Sequence, residues 1–222
     1  MMDMTLTLPG ELTLLALDGE TGRSRVESMD LDALLAGAVL TELVLRDRIT
    51  LDGRRVCGAE AVPTGEPLLD DALARVARER RSRTLDWWVA HLRKGLGRQV
   101  LDDLVARGLV RMESRRMFGI FPATRVPETD GVAEELIRTR LNMVVLDGVD
   151  PDPRTAALAA LLTAPLARRV WSAADIKAAR ARLRALAQRD TVAASVRRAI
   201  ETAQTALLVV AGAAAVGATM TA

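Results

Sequence analysis

GAVLTELVLRDRITLDG (Gly37–Gly53) and PTGEPLLDDAL (Pro63–Leu73) are the segments that decide the fold. The first predicts an apolar helix, a short strand at Ile49–Leu51 and a tight turn at Asp52-Gly53. An Asp-Gly pair between β-prone runs is a strong hairpin signal. In the second segment, Pro67 fits the first turn of a new helix. Together they predict a helix joined to a β-hairpin, a scaffold suited to binding, and nothing in them indicates catalysis.

Helices account for most of the remaining chain. They are predicted at Pro9–Leu17, Leu31–Arg46, Glu66–Arg80, Thr84–Lys94, Arg98–Arg107, Thr129–Leu146, Asp152–Ala164, Ser172–Gln188 and Thr191–Gly217, and the hairpins at Arg48–Val62 and Leu109–Val126. A helix–hairpin unit thus occurs twice, at Leu43–Cys57 and Leu104–Phe121, which indicates winged-helix-like units. Since no long linker interrupts the chain, we predict one mainly α domain over residues 1–222. Two β-hairpins would surround a buried apolar C-terminal helix.

Composition bounds the class of protein. Half of the 222 residues are apolar but only 2% are aromatic, which favours a core of packed helices. The net charge is +2 and nearly all basic residues are arginine, a bias typical of bacterial proteins. The single cysteine, Cys57, indicates a reducing cytoplasm and is expected in the core. The uncharged stretch Thr205–Ala222 is either a buried helix or a membrane anchor, and its many small residues favour the buried helix.

Residues for catalysis are scarce. His91 is the only histidine, and Cys57 has no base near it in sequence. The pairs Asp70-Asp71 and Asp102-Asp103 could mimic catalytic carboxylates, but adjacent helical residues point about 100° apart, which favours salt bridges instead. No phosphate-binding loop, serine-hydrolase or zinc-protease motif is present. We therefore predict no enzyme, no catalytic residue, no metal site and no cofactor.

The order and spacing of several motifs resemble those of one family. The motifs are G-x-x-L-x-E-L-x-L-R-x-R-I-x-L from Gly37, P-T-G-x-x-L-L-D-x-A-L from Pro63, Leu12–Asp18, Trp87-Trp88 and Asp103–Val110. This set is similar to the Golgi phosphoprotein 3 (GPP34) family, from about Leu6 to the last helix. The resemblance implies a non-enzymatic, peripheral membrane-binding or adaptor module that binds phosphatidylinositol 4-phosphate. The arginine-rich composition points to a bacterial member.

A cluster of basic residues, Arg93, Lys94 and Arg98, surrounds two glycines just before a helix. Backbone N–H groups at a helix start attract anions, so this turn is a candidate anion site. On pattern alone, a flexible loop with solvated charges fits equally well. The resemblance favours the anion site, because relatives place phosphate-binding basic residues at this turn.

The family's head-group pocket is only half retained. By resemblance, its tryptophan position reads Glu27 and its first arginine position reads Ala36. The third basic position falls on Lys94, or on Arg93 with a one-residue gap, and the fourth falls on Gly97 beside Arg98. We therefore expect general attraction to anionic lipid rather than specific recognition of phosphatidylinositol 4-phosphate.

The second predicted hairpin carries a mixed basic and apolar segment, made of Arg115, Arg116, Met117, Phe118, Ile120 and Phe121. Apolar tips beside arginines suit an interfacial membrane anchor. In relatives the corresponding hairpin contacts membrane or forms oligomers. Strand alternation leaves a second interpretation open, in which Phe118 and Ile120, or Phe121, face the core.

The partner predicted from these features is an anionic membrane surface or a phospholipid head group. Protein partners and a homo-oligomer are further expectations, and the location is the cytoplasm, peripheral to the inner face of the membrane. A DNA-binding protein with winged-helix-like units is the alternative. The low net charge and the lack of a helix rich in base-reading side chains weigh against nucleic acid. A protein–protein scaffold is the third interpretation.

Overall fold

Helices dominate the computed structural model, which describes residues 6–17, 28–60, 62–117, 121–125, 129, 131–162, 164–188, 198 and 200–210. The helices are α1 (Leu8–Ala16), α2 (Ser28–Leu45), α3 (Pro67–Arg78), α4 (Leu85–Leu92), α5 (Leu96–Ala106), α6 (Val132–Val145), α7 (Pro153–Leu161), α8 (Ala164–Val170) and α9 (Ala173–Gln188). Residues 200–210 are also helical. The predicted mainly α fold is confirmed.

Two antiparallel sheets accompany the helices. The first contains β1 (Ile49–Asp52), β2 (Arg55–Ala59) and β3 (Arg83–Thr84) in that order, and the second pairs β4 (Glu113–Met117) with β5 (Phe121–Arg125). Both predicted hairpins are present, whereas β3 was not predicted because two residues carry no readable pattern. Asp52 pairs with Arg55, so the turn consists of Gly53-Arg54 and not of Asp52-Gly53. Glycine at the first turn position accepts the positive φ of 55° found there.

The centre of the fold is α2. Every residue from 33 to 44 is buried, and a helix that is apolar all round is typical of such a position. Gly37 lets the 200–210 helix approach closely, because a Cβ there would lie 3.2 Å from the Ala206 Cβ. Residues 200–210 bury one face, as predicted for a C-terminal helix, but Leu208 is 69% exposed. By contrast, α2 is covered on all sides from residue 33 to residue 44.

Both helix–hairpin units contain the same chain reversal. In each, a residue with positive φ follows the helix, Asp47 (53°) after α2 and Gly108 (74°) after α5. The closing hydrogen bonds run from Arg48 N to Leu43 O and from Asp47 N to Val44 O in the first unit, and from Leu109 N to Leu104 O and from Gly108 N to Val105 O in the second. This is the Schellman motif, which leaves the chain free to enter a strand.

Two local predictions need correction. The predicted helix Asp152–Ala164 ends at Leu161, and the unpredicted α8 follows at once. Pro165 lies in the first turn of α8, where proline is tolerated and a continuing helix is not. Cys57 is exposed rather than in the core. The β1–β2 register shifts beside it, since Thr50 pairs with Gly58 and Leu51 with Val56, so Cys57 is the extra residue of a bulge.

A buried ionic network joins four helices. Glu42 of α2 is only 1% exposed, and its Oε2 accepts the Leu8 N–H at the start of α1. Its Oε1 accepts from Arg46, at 2.8 Å, and from Arg154 of α7, at 2.6 Å. Arg154 also donates to the Leu6 carbonyl. One carboxylate thus fixes the relative positions of α1, α2 and α7.

Glu11 of α1 extends this network to α6. It is 3% exposed and lies 2.8 Å from Arg140 and 3.6 Å from Arg154. Burial raises the pKa of Glu11, and the positive charges of Arg154 and Arg140 oppose that rise. The arginines are therefore needed to keep this carboxylate charged in the interior.

We expect Glu42→Gln to lower the free energy of unfolding by about 3–5 kcal/mol, because it leaves buried arginine charge without its partner. Urea unfolding measures the change. The matched control is Glu60→Gln, an exposed position outside the network, which we expect to change stability by less than about 0.5 kcal/mol. Equal stability of the two variants would contradict the role given to Glu42.

The hydrogen bonds of Asp152 predict that the stability of the fold depends on pH. It caps α7, accepting from the Arg154 and Thr155 N–H groups at 2.9 and 3.0 Å. Burial acts to raise its pKa, but hydrogen bonds from Thr155 and the charge of Arg140 outweigh it, so the pKa lies below its ordinary value of 3.8. A carboxyl with a lowered pKa stabilises the fold above 3.8 and loses that effect as pH falls through the folded-state pKa. Asp152→Asn keeps the capping oxygen, so its stability deficit should be present at neutral pH and vanish in acid. A deficit that stays constant through the acid range would contradict this.

Candidate functional site

The turn between α4 and α5, here called the basic turn (Arg93–Arg98), holds the predicted cations. The Thr84 hydroxyl caps α4 by accepting from Trp87 N–H at 3.3 Å, and α4 then buries Leu85, Trp88, Val89 and Leu92. Arg93 follows the last buried residue. Gly95 adopts a φ of 72°, which lets the chain reverse directly into α5.

Arg93 and Lys94 face the same open cavity. Its volume is about 310 Å³, and Asp32, Ala90 and Gly95 complete its lining. Arg93 is half-buried and Lys94 is exposed. Within the described part of the chain, neither side chain forms an ion pair, in contrast to Arg54, which lies 2.7 Å from Asp86. The two cations are thus available to an external anion.

Asp32 of α2 occupies the start of α5. Its Oδ1 accepts the Gly97 N–H at 2.7 Å, so one of the amides expected to meet an external anion is already bound. A Cβ at position 97 would lie 2.6 Å from this oxygen, so only glycine fits without moving it. Sequence reasoning missed Asp32 because it lies 65 residues from its partner. Its negative charge makes the electrostatic potential of the cavity less positive.

The third predicted cation, Arg98, is not among the cavity-lining residues. Its Nε donates to both oxygens of Asp102, at 2.9 and 3.1 Å, along the exposed surface of α5. Ala36, at the family's first arginine position, is fully buried within α2 and presents nothing to a ligand. Glu27, at the tryptophan position, lies outside the described residues. The structure therefore brings Arg93 and Lys94 together and holds Arg98 elsewhere.

The second candidate, the β4–β5 hairpin, is described by its backbone. Arg115, Arg116 and Met117 lie in β4, and Phe121 begins β5 directly opposite Met117. Phe118 and Ile120 lie outside the described residues. Membrane contact, oligomer contact and burial of these aromatic residues all remain predictions.

The residues considered for catalysis form hydrogen bonds, a ring contact or ion pairs within the fold. His91 is exposed, its ring stacks on Trp87 at 3.5 Å, and its Nδ1 lies 2.7 Å from the Trp87 carbonyl oxygen. Asp70 accepts from the Thr64 N–H and hydroxyl, whereas Asp71 pairs with Arg75. Burial acts to raise the pKa of Asp70, but the bonds from Thr64 outweigh it and the pKa is lowered. As predicted, adjacent aspartates take separate partners.

The described residues hold no group of three or more histidine, cysteine or acidic side chains arranged to bind a metal ion. None of the helices they form combines the length and apolar character that crossing a bilayer requires.

The fold defines a mainly helical module that carries β-hairpins after two of its helices. The chain matches the family model for Golgi phosphoprotein 3 (GPP34) over residues 8–203, nearly its whole length. It belongs to this family, and the resemblance read from the motifs is confirmed.

The contact between Asp32 and Gly97 gives a direct test of the basic turn. Alanine in a helix is normally more stable than glycine by roughly 0.5–1 kcal/mol. We expect Gly97→Ala to destabilise instead, because its Cβ displaces Asp32 and breaks a charged hydrogen bond of about 1.5–3 kcal/mol. In an Asp32→Ala background the same change should be neutral or stabilising, as a double-mutant cycle by chemical denaturation would show. Additive effects would contradict the contact.

Proposed function

We propose that this member of the GPP34 family is a peripheral module that docks onto anionic phospholipid surfaces through its basic turn. The observation that carries the proposal is the position of Arg93 and Lys94, which line one open cavity without forming an ion pair in the described residues. Arginine and lysine so placed interact favourably with phosphate head groups, at about 1 kcal/mol for each residue near the surface.

The charge of the cavity favours general over specific lipid recognition. Arg93 and Lys94 contribute positive charge, and Asp32 opposes it from the same lining. Ala36 replaces the family's first arginine and is buried, and Arg98, which we expected at the site, pairs with Asp102 instead. We therefore infer that singly charged phospholipids in a dense anionic surface are the ligand class, without strong selection of a phosphoinositide.

The β4–β5 hairpin supplies the second contact in this proposal. Its register pairs Met117 with Phe121 at the end of the ladder. Apolar residues next to Arg115 and Arg116 have the composition of segments that enter the boundary between head groups and acyl chains. A non-enzymatic role at the inner face of a bacterial membrane completes the proposed function.

Vesicle cosedimentation tests the basic turn. We expect Arg93→Ala/Lys94→Ala to weaken binding to vesicles containing phosphatidylglycerol by roughly 30-fold, the equivalent of about 2 kcal/mol. The matched control is Arg80→Ala/Arg81→Ala, which removes the same charge from exposed positions outside the basic turn. Equal weakening by both variants, or equal binding of the native protein to neutral phosphatidylcholine vesicles, would refute docking through this turn.

Two further arms define the ligand. Asp32→Asn keeps an oxygen for the Gly97 N–H and removes a negative charge, so it should strengthen binding several-fold. Vesicles with phosphatidylinositol 4-phosphate at equal surface charge should bind no more tightly than phosphatidylglycerol vesicles.

Loss of binding in Phe118→Ser/Phe121→Ser would support the hairpin contact, and unchanged binding would remove it. Tighter binding to duplex DNA at the same salt concentration would overturn the membrane assignment.

A further inference from the structure

A second cavity lies between the first sheet and the end of α3. Its volume is about 150 Å³, and its walls come from β2, from the end of α3 with the loop that follows, and from Trp88 of α4. Strand β3 pairs with β2 only at Arg55 and Val56, so no described strand covers that side of β2 from Cys57 to Ala59. The cavity opens where the chain before β3 departs from β2.

The one thiol of the chain stands at this cavity. Cys57 is exposed, and its Sγ lies 3.7 Å from the Oγ of Ser82, which also lines the cavity. The Ser82 hydroxyl is held in place because it donates to the Val56 carbonyl at 3.1 Å. Bulges often present a side chain to a functional site, and Cys57 is the extra residue of the β1–β2 bulge. The thiol is therefore open to small reactants that enter the cavity.

Arginine side chains give the cavity its charge. Arg80 and Arg81 line it, are exposed, and form no ion pair in the part of the chain that the structure describes. Of the lining residues, Glu79 alone carries a carboxylate. That carboxylate is already engaged, by Arg83 at 3.3 Å and by the Arg81 N–H at 3.0 Å. A cleft lined mainly by one sign of charge concentrates reactants of the opposite sign, so anions are drawn to the thiol.

Trp88 adds a hydrogen-bond donor that lacks an acceptor. Its side chain is 3% exposed and forms part of the cavity wall. The indole Nε1–H has no hydrogen-bond partner among the described residues, whereas the Nε1–H of Trp171 donates to Asn142 at 2.9 Å. Buried N–H groups in proteins are nearly always paired. The cavity therefore favours a ligand group that accepts hydrogen bonds and carries negative charge, as a carboxylate does.

We propose that Cys57 is a site of reversible S-thiolation by acidic low-molecular-weight disulfides, whose carboxylate the cavity binds. The Cys57 thiol releases its proton to solvent, and the thiolate attacks one sulfur of the disulfide. A bond forms between Cys57 Sγ and that sulfur, the original S–S bond breaks, and the other half leaves as a thiolate. Cys57 is oxidised and the small disulfide is reduced, so no further oxidant takes part.

The size of the cavity sets the class of reactant. A volume of about 150 Å³ is well below the roughly 300–1,000 Å³ of pockets for drug-sized ligands. It accommodates one amino-acid-sized part of a small compound, while the remainder lies in solvent. The carboxylate of that part meets Arg80, Arg81 and the Trp88 N–H, and its sulfur meets Cys57. This site lies outside the basic turn, so the inference is independent of docking to membranes.

Intact-mass spectrometry of the full chain tests the charge preference. Three disulfides are compared: oxidised glutathione, which is anionic, 2-hydroxyethyl disulfide, which is neutral, and cystamine, which is cationic. Each rate is divided by the rate of the same disulfide with N-acetylcysteine amide, which removes differences in intrinsic reactivity. We expect oxidised glutathione to exceed cystamine by about tenfold and dithiothreitol to release the adduct. Equal normalised rates, or no adduct on Cys57, would overturn the proposal.

Charge removal locates the anion site. Arg80→Ala/Arg81→Ala should slow oxidised glutathione by about tenfold and leave the neutral disulfide unchanged. The matched control is Arg180→Ala/Arg184→Ala, which removes the same charge from exposed positions of α9 and should react like the native chain. Equal slowing by the two variants, or slowing of all three disulfides alike, would overturn binding in this cavity.

Trp88→Phe tests the buried donor, because it keeps an aromatic ring in the wall and removes the N–H. We expect the reaction with oxidised glutathione to slow by about fivefold, the effect of one hydrogen bond, with the neutral disulfide unchanged. An unaltered preference for the anionic disulfide, or an equal slowing of the neutral one, would overturn the part given to the indole N–H.

Discussion

The Glu42 carboxylate is the interaction on which the arrangement of the helices depends. It lies in the last turn of the buried helix α2, receives the first amide of α1 and accepts from Arg46 and Arg154. A charge at this depth is tolerated only when opposite charges and hydrogen bonds surround it. Since those partners come from α1, α2 and α7, moving any of these helices would leave a buried charge unsatisfied. The ionic requirement selects one packing where a wholly apolar core would accept several.

Helix α2 also places a carboxylate at the candidate site. Asp32 receives an amide at the start of α5, as Glu42 does at the start of α1. A carboxylate is favourable there because unpaired N–H groups and the helix dipole give a helix start positive character. α2 therefore orients two helices through two carboxylates. The position of Arg93 and Lys94 follows from this, because the basic turn ends where α5 begins. The cost to function is a negative charge inside the cavity that an anion would enter.

Local signals in the sequence were sufficient to predict the helices and hairpins. They were insufficient to predict how these elements pack together. Pro67 marked the start of α3, and the Asp52-Gly53 pair marked the first hairpin, although the real turn is one residue later. The Asp32–Gly97 and Glu42–Arg154 contacts span 65 and 112 residues, and no periodicity reports them. Glu42 itself reads as a surface residue, because a buried acid differs from an exposed one only in its partners. At the site, Arg93 and Lys94 were predictable as a cluster. The pairing of Arg98 with Asp102 was readable from the spacing of four residues but was outweighed by the nearby glycines.

The small net charge conceals how the charges are distributed. Many arginines, among them Arg46, Arg107 and Arg138, are neutralised by acids within the fold, so they add nothing to the field outside. Cations without such partners among the described residues lie in separate groups, at the basic turn, at Arg80-Arg81 and on the exposed face of α9. The net charge of +2 therefore does not describe the local potential at any one of these surfaces.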